Sequence, residues 1–151
     1  MPALRINHVS VSSPDQDASA RFYSELFGAQ RVPAPNFGFR VDWFQLGDTQ
    51  LHIFPEDDKA PRRHHLGITV EDILPIYRRA RELGVIDPVF TDCVRVLEDG
   101  AVQFYIRDPG GNLIEINGLV GDYTTADIPE LKHLNELHPQ GPENAGARLS
   151  L

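Results

Sequence analysis

Three residues of this chain, His8, His65 and Glu115, have the types and surroundings to bind a metal ion. Each lies within a short apolar run: Ile6-Asn7-His8-Val9, His65-Leu66-Gly67-Ile68 and Leu113-Ile114-Glu115-Ile116. A carboxylate placed among leucine and isoleucine is costly to bury unless a cation accompanies it. Two imidazoles and one carboxylate, with coordination positions left open, are a recurring donor set for catalytic iron and related divalent metals. The plain alternatives are a hydrogen-bonded or exposed histidine on a strand, and an edge strand that turns Glu115 to solvent. His52 stands in a fourth such run, where Gln50 and His52 could equally line the exposed face of a strand. His64 neighbours His65 and so points to the opposite face. His133 and His138 carry no ligand spacing.

The elements that must position these residues read as two copies of one unit. Residues 3–12 alternate and are rich in β-branched side chains, as a strand requires. Ser13, Pro14, Asp15 and Gln16 then fit a helix start with proline at the first helical position. Apolar residues at Phe22, Tyr23, Leu26 and Phe27 give that helix one buried side, and Gly28 can close it. An extended stretch at Arg31-Val32, a proline-rich loop at 33–36 and two strand-like runs, FGFRVDWFQLG and TQLHIFP, complete the first half. The second half repeats the plan. HHLGITVE is a strand, Asp72 caps the helix ILPIYRRARELG, and Gly84 ends it. A short run at Pro88–Phe90, a strand from Val94, the run VQFYIRD and the run NLIEING follow. His8 matches His65, and Glu25-Leu26 matches Glu82-Leu83, at one common offset; GDTQLHI against GGNLIEI then sets His52 on Glu115. Each half so carries a metal-competent side chain on its first strand and another on its last. Residues 119–151 lie outside the repeat. There Asp127-x-x-Glu130 before LKHLNEL suggests one short capped helix, followed by an extended or loose arm.

The bulk properties narrow the classes of function. The chain's 151 residues suit a single domain, and an apolar fraction of 41% argues against disorder. A net charge of -8 disfavours nucleic acid and anionic membrane as partners. Cys93 is the only cysteine, which excludes an intrachain disulfide and points to a reducing compartment. No apolar run has the length of a signal peptide core or a membrane span, so a cytoplasmic location is expected. No glycine-rich phosphate loop, nucleophile elbow or paired-cysteine zinc motif is present.

Three motifs, NHVSV at 7–11, HLGITVED at 65–72 and FYIRDPGGNLIE at 104–115, resemble the vicinal oxygen chelate superfamily over about residues 3–118. That superfamily holds glyoxalases, extradiol dioxygenases, epimerases, fosfomycin-inactivating enzymes and bleomycin-binding proteins. The resemblance implies an α+β fold of two βαβββ modules, at about 3–58 and 62–118, forming an open curled mixed sheet around a metal cleft. It implies one divalent ion (Fe, Mn, Ni, Co or Zn) held by His8, His52, His65 and Glu115, a small-molecule substrate and a homodimer. Tyr105 stands where extradiol dioxygenases place an active-site tyrosine, yet Val96, Leu97 and Glu98 occupy the stretch where their acid–base histidine is sought. A histidine at 52 departs from the Glu or Gln usual in glyoxalases and epimerases.

Three functions follow as expectations. The first is a lyase or isomerase whose substrate chelates the metal through adjacent oxygens, with Glu115 or His52 moving a proton. The second is an Fe(II) dioxygenase, for which His52 would leave its coordination position open. The third is a metal-free binding protein of the bleomycin-resistance kind. Trp43, Phe39 and Val41, read as one face of a strand, and Tyr105 are the expected pocket residues. Arg40 and Arg107 are candidates for a substrate carboxylate, or else plain solvated side chains.

Overall fold

The computed structural model describes residues 5–59, 61–87, 92–119, 121–144 and 146–148. The chain divides into two compact units, the first comprising Met1–His64 with Asp108–Asn112 and the second His65–Arg107 with Leu113–Leu151.

The first unit is one βαβββ module. Strand β1 (His8–Ser12) leads into helix α1 (Gln16–Phe27), then β2 (Gln30–Val32), β3 (Asp42–Leu46) and β4 (Thr49–Phe54). They form an open mixed sheet in the order β1-β4-β3-β2, with β1 and β4 parallel and the other pairs antiparallel. Alternation sends Phe44, Leu51 and Ile53 to the face covered by Phe22, Tyr23 and Leu26 of α1, and all six are buried. The helix begins two residues later than the capping pattern suggests. Asp15 is the cap, its carboxylate accepting from the Ala18 backbone N–H, while the Ser13 hydroxyl donates to the Asp15 carbonyl instead. Pro14 therefore precedes the helix. Gly28 ends it at a φ of 65°, a conformation that costs other residues strain.

The second unit repeats the module. Strand β5 (His65–Val70), helix α2 (Ile73–Leu83), β6 (Val94–Val96), β7 (Val102–Arg107) and β8 (Leu113–Gly118) are joined by β9 (Leu131–His133) and the short α3 (Leu134–Leu137). Its open mixed sheet runs β5-β8-β7-β6-β9. Asp72 caps α2 by accepting from Leu74 N–H, and Gly84 closes it. Ile73, Tyr77 and Ala80 of the helix, with Phe104, Ile106, Ile114 and Ile116 of the sheet, are buried, and the Tyr77 and Phe104 rings meet edge to face. The expected run at Pro88–Phe90 lies outside the described residues, while Ile86 bridges to Ile106.

The tail departs from its pattern. Residues Leu131–His133, read from sequence as helix, pair in parallel with β6, and the helix is confined to Leu134–Leu137. Asp127 closes a local turn on the Thr124 N–H and hydroxyl rather than capping a helix, and the Tyr77 hydroxyl donates to Glu130. A free strand edge at β6 competes for the same backbone groups and supplies a full ladder. Among the described residues, no helix is long and apolar enough to cross a membrane.

Candidate functional site

The repeat seen in sequence recurs as an identical strand register. In the first unit His8 lies opposite Gln50, and Ser10 opposite His52. In the second, His65 lies opposite Leu113, and Gly67 opposite Glu115. Each pair of donors therefore shares one sheet face on parallel neighbouring strands, two residues out of step. The third strand repeats as well, Trp43 standing opposite His52 and Tyr105 opposite Glu115.

In the first unit these positions carry stacked rings. The His8 and His52 rings lie 4.4 Å apart at 15°, and the Trp43 ring covers His52 at 4.2 Å and 2°. Each imidazole has one nitrogen at an amide oxygen: His8 Nδ1 is 2.5 Å from Asn7 Oδ1, and His52 Nε2 is 3.1 Å from Gln50 Oε1. A carboxamide oxygen only accepts, so those nitrogens carry hydrogens, and in the neutral ring the opposite nitrogen is the one with a lone pair. Burial, then the nearby His8 charge, holds the His52 pKa below 6.5 and keeps the ring neutral at neutral pH. A cavity of about 560 Å³ opens here, with Arg5, Phe37 and Gln45 in its wall beside the stack.

In the second unit the pair is acid and base. Glu115 is 8% exposed, its Oε2 stands 3.4 Å from His65 Nε2, and the Tyr105 hydroxyl donates to the same oxygen. Burial first, then the Glu115 carboxylate, raises the Tyr105 pKa far above 10.0, so the phenol stays protonated and serves as a donor.

Both pairs fit a divalent ion in their chemistry: imidazoles each with one nitrogen held by an amide oxygen, and a buried carboxylate backed by a phenol. Among the described residues, no three His, Cys, Asp or Glu side chains gather into one group. The structure brings His8 to His52, and His65 to Glu115.

Of the expected pocket residues, Trp43 is in the ring stack. Phe39 and Val41 do not share its strand, because β3 begins at Asp42; Phe39 is exposed and Val41 is buried. Both candidate arginines are engaged. Arg40 pairs with Asp17 and Asp42 at 2.6 Å each, and Arg107 Nε with Asp87 at 2.6 Å. Sequence reasoning missed the amides Asn7 and Gln50 and, on the Glu115 face, Gln103 and Asn117. For Gln50, Gln103 and Asn117 the available signal was strand parity, since a polar residue two places along a strand shares its neighbour's face; Asn7, adjacent to His8 and before the strand, gave no such signal.

The family model of the Glyoxalase/Bleomycin resistance protein/Dioxygenase superfamily matches residues 5–116. Human mitochondrial methylmalonyl-CoA epimerase is 33% identical over 129 residues, covering 74% of this chain and 72% of that protein. Metallothiol transferase FosB of Shouchella clausii is 28% identical over 120 residues, covering 74% and 78%. A solved glyoxalase-family protein from Bacillus anthracis superposes with a TM-score of 0.60 at 25% identity, over 78% of this chain and 97% of the other.

Proposed function

The chain belongs to the Glyoxalase/Bleomycin resistance protein/Dioxygenase superfamily, and from that premise we propose that it is a divalent-metal isomerase. Its reaction shifts a proton at a carbon flanked by two carbonyl groups, on a small acyl substrate of the kind named in its epimerase relative. The observation that carries this reading is Glu115: a buried carboxylate in contact with the imidazole of His65 and the hydroxyl of Tyr105. In this reading His8, His52, His65 and Glu115 are the metal ligands. A divalent ion bound by them supplies Lewis-acid polarisation of the substrate oxygens.

The remaining chemistry falls to the chain's own side chains. Asn7 and Gln50 fix the ring orientation of His8 and His52. The Glu115 carboxylate takes the proton from carbon and returns it, and the neutral His52 ring is the second group able to hold it. Tyr105 positions Glu115 through its hydrogen bond. Trp43 and Phe37 give the wall of the first unit's cavity an aromatic surface that limits water.

The test is methylmalonyl-CoA incubated in D2O with protein purified without chelator, read by mass spectrometry. Deuterium entering at the carbon between the two carbonyls, lost in Glu115→Gln, agrees with the proposal. A metal-replete protein that exchanges no proton on this or other 2-substituted malonyl thioesters contradicts it.

A further inference from the structure

One strand step from Glu115 on the same face runs a row of polar side chains with no assigned task. Thr69, Asn117, Gln103, Arg95 and Lys132 lie side by side across β5, β8, β7, β6 and β9, each opposite the next in the ladder. Asn117 and Gln103 are 4% and 9% exposed. Two atoms of the row are buried without a hydrogen-bond partner, Asn117 Oδ1 and Arg95 Nε. Leaving a buried polar atom unsatisfied is costly, so native proteins keep few such atoms without a use.

The charges point the same way. Arg95 and Lys132 stand directly opposite each other, an arrangement of like charges that destabilises a sheet unless an anion offsets it. Neither has an ion-pair partner among the described residues, in a protein whose net charge is -8. Gly67 faces Glu115 across the strands, and a methyl group there would meet only Asn117 Nδ2, at 3.5 Å.

We propose that Arg95, supported by Lys132, Gln103 and Asn117, is the subsite for a carboxylate carried by the substrate, so that the substrate class is a small carboxylic acid derivative bearing its reacting carbon beside that group. The inference rests on the reading of Glu115 as part of the active site. The planar guanidinium fork matches the two oxygens of a carboxylate. The carboxamides of Gln103 and Asn117 present a donor or an acceptor after a half-turn and meet the oxygens that remain. Two strand spacings and one pleat repeat put the Cα atoms of Arg95 and Glu115 roughly 12 Å apart, a gap that two facing side chains and a small diacid fill.

The test is calorimetric titration of the purified protein with malonate and with its neutral diamide, malonamide, in wild type, Arg95→Met, Arg95→Lys and Glu115→Gln. Bound metal is measured in each. Malonate binds the wild type, and malonamide binds at least about tenfold more weakly, because charge-assisted pairing is lost. Arg95→Met loses about tenfold or more in malonate affinity at unchanged metal content and melting temperature, and Arg95→Lys keeps part of it. Malonate binding that is equal in wild type and Arg95→Met, or absent in wild type, overturns the proposal. Metal content in Glu115→Gln reports separately on the active-site reading. If the wild type carries no metal but malonate affinity still depends on Arg95, that reading fails and the subsite stands.

Discussion

The two units place their candidate donors at the same register and then fill those positions with opposite chemistries. In the first unit His52 is covered by the Trp43 ring, and its partner His8 stacks on the other imidazole. In the second unit Glu115 occupies the place of His52, and Tyr105 that of Trp43, so an acid with a phenolic donor replaces two neutral rings. The backbone repeat fixes where side chains point, while the residue types decide what each place can do. The first unit offers imidazole nitrogens and an aromatic wall. The second offers a carboxyl group, a fixed donor and, one row away, a guanidinium whose buried Nε has no hydrogen-bond partner among the described residues.

The sharpest break of this comparison is Glu115→Gln. It removes the one carboxylate among the proposed ligands, so metal affinity falls by about 100-fold or more, beyond the 10–100-fold range of supporting residues. Metal titration followed by calorimetry checks it, with His52→Ala as the matching change in the first unit.

A smaller effect is expected at Tyr23. Its hydroxyl donates to the buried Asp108 at 2.9 Å, and that carboxylate also accepts from the Asn112 backbone and side chain. Burial raises the Asp108 pKa above 3.8, which makes each of these donors matter. Tyr23→Phe costs about 1–3 kcal/mol of stability, read by urea unfolding, and leaves metal affinity unchanged if the turn keeps its shape.

Tyr105→Phe sharpens the contrast between the two third-strand residues. Loss of the donor to Glu115 lowers metal affinity about tenfold with little change in melting temperature. Trp43→Phe keeps an aromatic ring over His52 and changes metal affinity less. Equal effects in the two variants would show that Tyr105 acts by packing alone.

The smallest effect concerns Asp42, at the start of β3. Burial alone would raise its pKa, but hydrogen bonds from Arg40 and Arg31 outweigh this and leave it below 3.8. The folded state thus holds the carboxylate charged more readily than the unfolded chain does. Its stabilisation is complete above 3.8 and is lost as pH falls through the lowered folded value. Both arginines are about half exposed, so solvent screening limits the contribution to about 1 kcal/mol. Urea unfolding from pH 6 to pH 3 shows a shallower acid decline in Asp42→Asn than in wild type.

Much of this organisation is legible in the sequence because it rests on local rules. Strand alternation, the Gly28 and Gly84 stops, and two aligned motifs reveal both modules, the face shared by His8 and His52 in the first and the face shared by His65 and Glu115 in the second. What the sequence hides depends on partners distant along the chain. Leu131–His133 has a helical pattern, yet an open strand edge claims it. Phe39 alternates with Trp43, but the strand starts only at Asp42. Asn7, Gln50 and Arg95 look like ordinary polar residues until their neighbours across the sheet are known. The exact helix start at Asp15 turns on which of two adjacent oxygens reaches the Ala18 N–H.

The central proposal is that His8, His52, His65 and Glu115 are ligands of a catalytic divalent ion. Elemental analysis of protein purified without chelator, run beside His65→Ala and His52→Ala, tests it most directly. The account predicts near-stoichiometric iron, manganese, nickel, cobalt or zinc in the wild type, lost in His65→Ala and weakened in His52→Ala. A wild-type protein that carries none of these metals and takes up none on titration would contradict it, and the two faces would then be metal-free binding surfaces.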